Sequence, residues 1–349
     1  MGCGIWCLNM CSQKRAELLR SFCQKNGVPY ESLKPLSGDA SLRRYYRGGG
    51  LIIADSPPDS QKNDEFAAIA AALKKNGVRV PEIYAFDREH GFILQEDLGD
   101  ETFAKALASG KRDRKALYFD ALELSGKIAC ASLGPLPPFD REFLEREFGI
   151  FSEWFMQKGL GLEPDAKTCA ALFEDRDALS AVCQRLPQVP MHRDFHSRNL
   201  MIADGSLAVI DFQDMVKGPA LYDPASLIFD VYEDLSPEFS QELERKAYDV
   251  LKGHGLLKLS CDEYLWDLAC VSLQRHVKIL GIFSRLWLRD HKDGYLKHLP
   301  KVLALCIAES AHCDLKALNA CLKGPLSGAL YGGESLLSRR VRGDMEAQP

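Results

Sequence analysis

The chain has 349 residues, 46% of them hydrophobic, and 44 Lys plus Arg against 49 Asp plus Glu, for a formal net charge of -5. This length and apolar content suffice for a sizeable core and suggest two lobes. The slight acidic excess excludes a general attraction to nucleic acid or to an anionic membrane surface, so any phosphate binding has to be local.

Arg, Lys or Asp interrupts every apolar run, including Trp266 to Trp287, so no bilayer span is expected. Of the 12 cysteines, those beyond Cys3, Cys7 and Cys11 scatter without a repeated Cys-x-x-Cys or nearby His, which fits a reducing compartment and a cytoplasmic location. A metal site on the three N-terminal cysteines has only their spacing in its favour.

The opening segment sets its positive charges after its apolar stretch and carries Trp6 where a myristoylation signal has Ser or Thr. Residues 1–29 therefore read as a helical lead-in, with helical spacing from 13 to 26. A small polar turn, Ser37-Gly38-Asp39-Ala40-Ser41, precedes an antiparallel hairpin of Arg43 to Arg47 and Leu51 to Ala54 around Gly48-Gly49-Gly50. From Asn63 to Lys75, Phe66, Ile69, Ala70 and Leu73 recur at i, i+3, i+4 and i+7, one face of a helix ending at Gly77. Short strands are predicted over 82–86 and 92–96.

After Asp97-Leu98-Gly99 the period turns helical, over 101–109, 113–133, 140–158 and 165–186, which puts a lobe boundary near 98. A second small hairpin, Asn199 to Ile202 and Leu207 to Ile210, interrupts the helices, which then run to 322. Tyr222-Asp223-Pro224 reads as a helix start with Asp223 as its N-cap. The expected fold class is α+β: a small antiparallel-sheet lobe of residues 30–97, a large and mostly helical lobe of 98–323, and a loosely ordered tail of 324–349 rich in Gly, Ser and Arg.

The sharpest chemical signal is His192-Arg193-Asp194-Phe195-His196-Ser197-Arg198-Asn199 followed by Asp211-Phe212-Gln213-Asp214. A loop that presents an Asp and, five residues later, an Asn at the start of a hairpin whose far end adds another carboxylate is expected to gather three oxygen-bearing side chains. Phosphoryl transfer needs such a set. Mg²⁺ is a hard ion that takes carboxylate and amide oxygens, which suits Asn199 and Asp211 as its ligands against nucleotide phosphates. Asp194 is then left to accept or orient the proton of an acceptor hydroxyl.

At these residues the chain resembles the protein-kinase-like superfamily, in the branch of aminoglycoside phosphotransferases and choline kinases, where Asp-x-His precedes the Asn as in Asp194-Phe195-His196. It is more closely similar to the bacterial anomeric kinases of cell-wall recycling, which phosphorylate N-acetylmuramate and N-acetylglucosamine at C1. Ser37 to Tyr45, Leu94 to Gly99, Ile210 to Asp214, Gly218-Pro219, Tyr222-Asp223 and Gln274 to Leu286 carry that similarity. The resemblance implies a bilobal kinase fold, ATP and Mg²⁺ as cofactors, and a small amino-sugar substrate. It implies that the turn with Gly38, Asp39, Ala40 and Ser41 covers the nucleotide phosphates, and that Gln95, Glu96 and Leu98 lie at the adenine. Glu65 falls where kinases place the Glu that pairs with a strand lysine. The strand Leu51 to Asp55 has no Lys, however, and Arg43 or Arg44 is expected to supply the missing cation. For the acceptor pocket, Glu153, Trp154, His196, Gln274 and Arg275 are the candidates, with Arg275 facing the lactyl carboxylate of N-acetylmuramate.

Other readings stand beside these. His192-x-Asp194-x-His196 can be taken as zinc ligands of a hydrolase. Gln274 and Arg275 also fit a solvated helix face, and Trp154, beside Phe151 and Phe155, fits ordinary core. Within the kinases, an aminoglycoside, choline or homoserine is an alternative acceptor, and the missing Lys also suits a nucleotide-binding module without turnover.

Overall fold

A computed structural model describes residues 3–36, 43–58 and 62–346, and groups the chain into two compact units. One comprises Met1–Phe103, Ala131–Gly134 and Leu200–Gln213; the other comprises Ala104–Cys130, Pro135–Asn199 and Asp214–Pro349. The first unit opens with α1 (Cys3–Lys25), on which the side chains of Cys3, Cys7 and Cys11 lie outside the described residues. It continues with β1 (Lys34–Leu36), β2 (Arg44–Gly48), β3 (Leu51–Asp55), α2 (Asn63–Lys75), β4 (Ile83–Asp87) and β5 (Phe92–Glu96). The five strands form one antiparallel sheet in the order β1-β2-β3-β5-β4, with Arg44 opposite Asp55 and Ile53 opposite Leu94.

Alternation along the strands turns one sheet face to α1. Leu19, Phe22 and Cys23 of that helix pack on Ile53, Phe92 and Leu94. On α2 the buried face is Asn63, Phe66, Ile69, Ala70 and Leu73, the apolar stripe of the sequence with one polar residue added at its start.

The chain goes on with α3 (Phe103–Ser109), α4 (Arg114–Ala129) and α5 (Arg141–Ile150), which runs into a π-helical stretch, Phe151–Gly159. After α6 (Ala166–Arg185) come β6 (Gln188–Met191), β7 (Leu200–Ala203), β8 (Ser206–Val209) and β9 (Val216–Pro219). β7 and β8 form the expected hairpin, and Leu98 packs with Ile210 on its Met201, Ala203 and Ala208. β6 and β9 pair antiparallel, an element the sequence reading did not contain.

The remaining helices are α7 (Tyr222–Ile228), α8 (Pro237–Gly253), α9 (Cys261–Leu288), α10 (Leu299–His312), α11 (Lys316–Cys321), α12 (Ser327–Gly332) and α13 (Leu336–Glu346). α9 starts with a capping box, Ser260 to Glu263, and packs against the π-helical stretch and α10. The expectation of a loosely ordered tail is corrected here. Leu326, which ends a π-helical turn (Leu322–Leu326) before α12, is fully buried with Leu330 and Leu337, and Val341 nearly so, because apolar residues four apart give this stretch and α13 an inward face despite their Gly, Ser and Arg content. No helix among the described residues is long and apolar enough to cross a membrane.

Candidate active site

The loop of residues 192–199 leads from β6 towards β7, and two carboxylates hold its backbone. Asp223 accepts N–H bonds from His192 (2.7 Å) and Arg193 (3.0 Å), and Asp230 accepts one from Ser197 (2.9 Å). This corrects the reading of Asp223 as a helix cap, since α7 has its N-cap at Leu221 without a side-chain bond. Burial pushes the Asp223 carboxyl up, against the pull of His192 and the two amides. Held in this way, Arg193 takes a φ of 76°, a left-handed backbone that is costly for a residue with a β-carbon and recurs at functional loops.

Asp194 follows that strained residue. Burial alone would raise its carboxyl, but Lys278 and Arg193, with the imidazoles of His196 and His192, outweigh it and hold the group at about 2. It is a carboxylate at any working pH. Asn199 donates its side-chain amide to the Asp194 carbonyl at 3.0 Å, so its side-chain oxygen is the atom turned outward. His196 is kept below the usual imidazole value by burial, lies edge-on to Tyr232 at 5.3 Å, and has an Nδ1 without a hydrogen-bond partner among the described residues.

On α9, Gln274 and Arg275 are both buried, 7% and 3% exposed, which corrects the reading of a solvated face. Gln274 donates to Glu147 Oε2 at 2.8 Å, while its own Oε1 has no partner among the described residues. The Arg275 guanidinium stands over the Tyr222 ring at 5.6 Å, with Nε and Nη1 likewise without partners. Glu153 and Trp154 are placed otherwise than expected. Lys158 ion-pairs with the exposed Glu153 and stands over the Trp154 ring at 3.9 Å, so the two close on each other at the surface of the π-helical stretch. The partners of Gln274 and Arg275 are Glu147 and Tyr222 instead.

In the first unit, Asp211 follows the β7–β8 hairpin with a φ of 64° and an exposed carboxylate that accepts one bond from Gln213 at 2.6 Å. The next residue, Phe212, is fully buried and stacks on Phe66 of α2 at 4.8 Å. Arg43 is buried beside it, donating to Ser56 Oγ (2.9 Å) and Asn63 Oδ1 (3.2 Å) with its guanidinium over the Phe66 ring. Burial raises the Tyr45 hydroxyl, Arg43 pulls it back and Asp211 raises it again, which puts these three side chains in one neighbourhood. Arg44 points to the other sheet face and joins Arg15 on the buried Asp55. Of the two candidate cations, only Arg43 shares surroundings with Asp211.

Among the described residues Glu65 has no strand cation as a partner: it is exposed, at the edge of the α2 stripe that buries Phe66 and Ile69. Glu96 is engaged bidentately by Arg79, whose hydrogen bonds hold its carboxyl below the ordinary range, and it accepts the Glu82 amide. Gln95 is buried in β5, and Leu98 packs on the β7–β8 hairpin. Gly38, Asp39, Ala40 and Ser41 lie outside the described residues.

Asn199 and Asp211 offer hard oxygen donors, the chemistry that fits Mg²⁺. Among the described residues there is no group of three or more His, Cys, Asp or Glu that could hold a metal ion. Sequence reasoning passed over Glu147, Lys278 and Asp230. The available signal was polar residues at core positions of apolar helices, such as Lys278 one turn after Gln274.

A profile of the phosphotransferase enzyme family matches residues 32–255. Among characterised relatives, an N-acetylmuramate/N-acetylglucosamine kinase of Pseudomonas aeruginosa is 36% identical over 282 residues, 78% of this chain and 82% of its own. One of the same description from Neisseria meningitidis is 34% identical over 276 residues, 76% of this chain and 82% of its own. Among solved structures, a choline/ethanolamine kinase family protein from Mesorhizobium loti superposes with a TM-score of 0.57 at 16% identity, covering 83% of this chain and 92% of that one. The fold is therefore the kinase-like α+β fold.

Proposed function

The chain belongs to the phosphotransferase enzyme family, and from that premise we propose that it moves the γ-phosphoryl group of ATP onto the anomeric hydroxyl of an N-acetylated amino sugar, giving the sugar 1-phosphate. The acceptors are N-acetylmuramate and N-acetylglucosamine, those named for the relatives that share about a third of its residues. The observation that carries the chemistry is the loop of 192–199, where an ionised Asp194 sits five residues before an Asn199 whose amide nitrogen is already engaged.

In this reading Asn199 and Asp211 hold Mg²⁺, which when bound neutralises charge on the nucleotide phosphates. Asp194 orients the acceptor hydroxyl in line with the phosphoryl group. At about 2 its carboxyl is too weak a base to strip an alcohol beforehand, so it takes the proton late, as a loose transition state allows. An anomeric hydroxyl, acidified by the ring oxygen, suits such a base. Arg43 neutralises nucleotide phosphate in place of the absent strand lysine.

The acceptor is read by Arg275, Gln274 and His196. Two nitrogens of the buried guanidinium, Nε and Nη1, have no hydrogen-bond partner among the described residues, and buried donors of this kind call for an anion, which the lactyl carboxylate of N-acetylmuramate supplies. Purified protein in a coupled ADP-release assay with Mg²⁺ tests the proposal, with both amino sugars, choline and aminoglycosides as acceptors. Turnover with the amino sugars is expected; ADP release with choline or an aminoglycoside alone would refute the acceptor. Arg275→Ala is expected to impair N-acetylmuramate more than N-acetylglucosamine, and equal losses remove Arg275 as the carboxylate reader.

A further inference from the structure

Glu147 is a buried carboxylate, 4% exposed, on α5, far in sequence from both the loop of 192–199 and α9. Its two oxygens serve different elements. Oε1 accepts from Arg193 Nη2 at 2.9 Å and lies 3.7 Å from Lys278 Nζ, while Oε2 accepts from Gln274 Nε2 at 2.8 Å. Lys278, itself 4% exposed, donates to Tyr222 Oη at 2.9 Å. We infer that Glu147 is a positioning residue that couples the acceptor-reading face of α9 to the phosphotransfer loop, an inference that rests on the function proposed above.

The physical argument is that one rigid group fixes two distances at once. Arg193 immediately precedes Asp194 and has a left-handed backbone, so a lost side-chain anchor relaxes the residue that sets the direction of the Asp194 carboxylate. Gln274 donates its amide to Glu147, which leaves its buried oxygen as an acceptor without a partner among the described residues; without that bond the amide is free to turn over. The carboxylate also compensates Arg193 and Lys278 where water is excluded, and a neutral group of the same shape does not. Fold stability alone does not require both oxygens to be shared between the loop and the acceptor helix.

The test uses the full chain and the isosteric Glu147→Gln. Loss of alignment is expected to lower kcat/KM for the amino sugar about 10²-fold, seen in both kcat and acceptor KM, with the KM for ATP unchanged. Adding Gln274→Ala to Glu147→Gln is expected to cost far less than Gln274→Ala costs in the parent, because Gln274 is already released. Parental kcat and acceptor KM with only a lowered Tm, or strictly additive losses, would overturn the inference. Should Glu147→Gln fail to fold, Glu147→Asp keeps the charge, draws the oxygens back by one methylene, and is read by the same criteria. Asp194→Asn in the same assay separates the two levels. If Asp194→Asn is inactive while Glu147→Gln behaves as the parent, the coupling role alone is wrong; if Asp194→Asn keeps parental turnover, the proposed phosphotransfer centre is wrong.

Discussion

Replacing Gly281 by alanine is expected to destabilise the protein, although the same exchange in an unhindered helix interior gains about 1 kcal/mol from helix propensity. Gly281 lies in the middle of α9, where a β-carbon would stand 2.5 Å from the Ile150 carbonyl oxygen and 2.6 Å from the Phe151 amide nitrogen. Those are backbone atoms at the junction of α5 with the π-helical stretch, and ordinary contact begins at 3.4 Å. No side-chain rotation relieves the overlap, so the two helices have to separate by almost 1 Å. Overpacking of this kind costs about 1–3 kcal/mol, and contact against backbone places it in the upper part of that range. The propensity gain offsets part of it, leaving a net loss of about 1–2 kcal/mol. Because Gln274, Arg275 and Lys278 lie one to two turns earlier on the same rigid helix, the acceptor KM is expected to rise as well. Equilibrium urea unfolding followed by circular dichroism, beside amino-sugar kinetics, reads both effects. An unfolding midpoint equal to or above that of the parent would refute the reasoning.

Three further outcomes follow from particular groups. Ser260→Ala removes the N-cap of α9 and is expected to cost about 1 kcal/mol in urea unfolding while leaving kcat unchanged, since the cap lies more than three turns from Gln274. Burial, helped by the cations of Lys297, Arg198 and Lys301, pushes His298 down to about 4. Its unfolded value is about 6.5, so the unfolded chain takes up the proton first; stability is complete above that value and drains as pH falls towards 4. His298→Gln is expected to flatten this part of the stability–pH curve, and an unaltered slope contradicts the assignment. Calorimetric titration with ATP and Mg²⁺ is expected to show weakened binding for Arg43→Met and near-parental binding for Arg44→Ala, since Arg44 is committed to Asp55 on the α1 face. The reverse order would return Arg44 as the phosphate cation.

Local signals in the sequence were legible where one element decides its own structure. The α2 stripe ends at Lys75 as its spacing predicts, and β5 covers the predicted 92–96. β1 and the β6–β9 pair were not legible, because each strand has only three or four residues, Pro35 and Pro190 weaken the strand signal, and β6 meets its partner across a long stretch of chain. The tail misled through composition, its Gly and Arg content masking the spacing of Leu326, Leu330, Leu337 and Val341. In the candidate site, the spacing of Asp194 and Asn199 lies within one loop and could be read. The groups that set the charge and posture of that loop, Glu147, Lys278, Asp223 and Asp230, come from three distant segments, and only the folded chain brings them to it. Glu65 illustrates the opposite case, a residue assigned by analogy of position that lies exposed at the edge of the buried α2 stripe.

The most direct measurement is ³¹P NMR of purified protein incubated with ATP, Mg²⁺ and N-acetylmuramate, with Asp194→Asn alongside. The account predicts ADP together with a phosphate resonance coupled to the anomeric proton, absent with Asp194→Asn. A phosphate on another hydroxyl, ADP with only inorganic phosphate, or undiminished product from Asp194→Asn would contradict it.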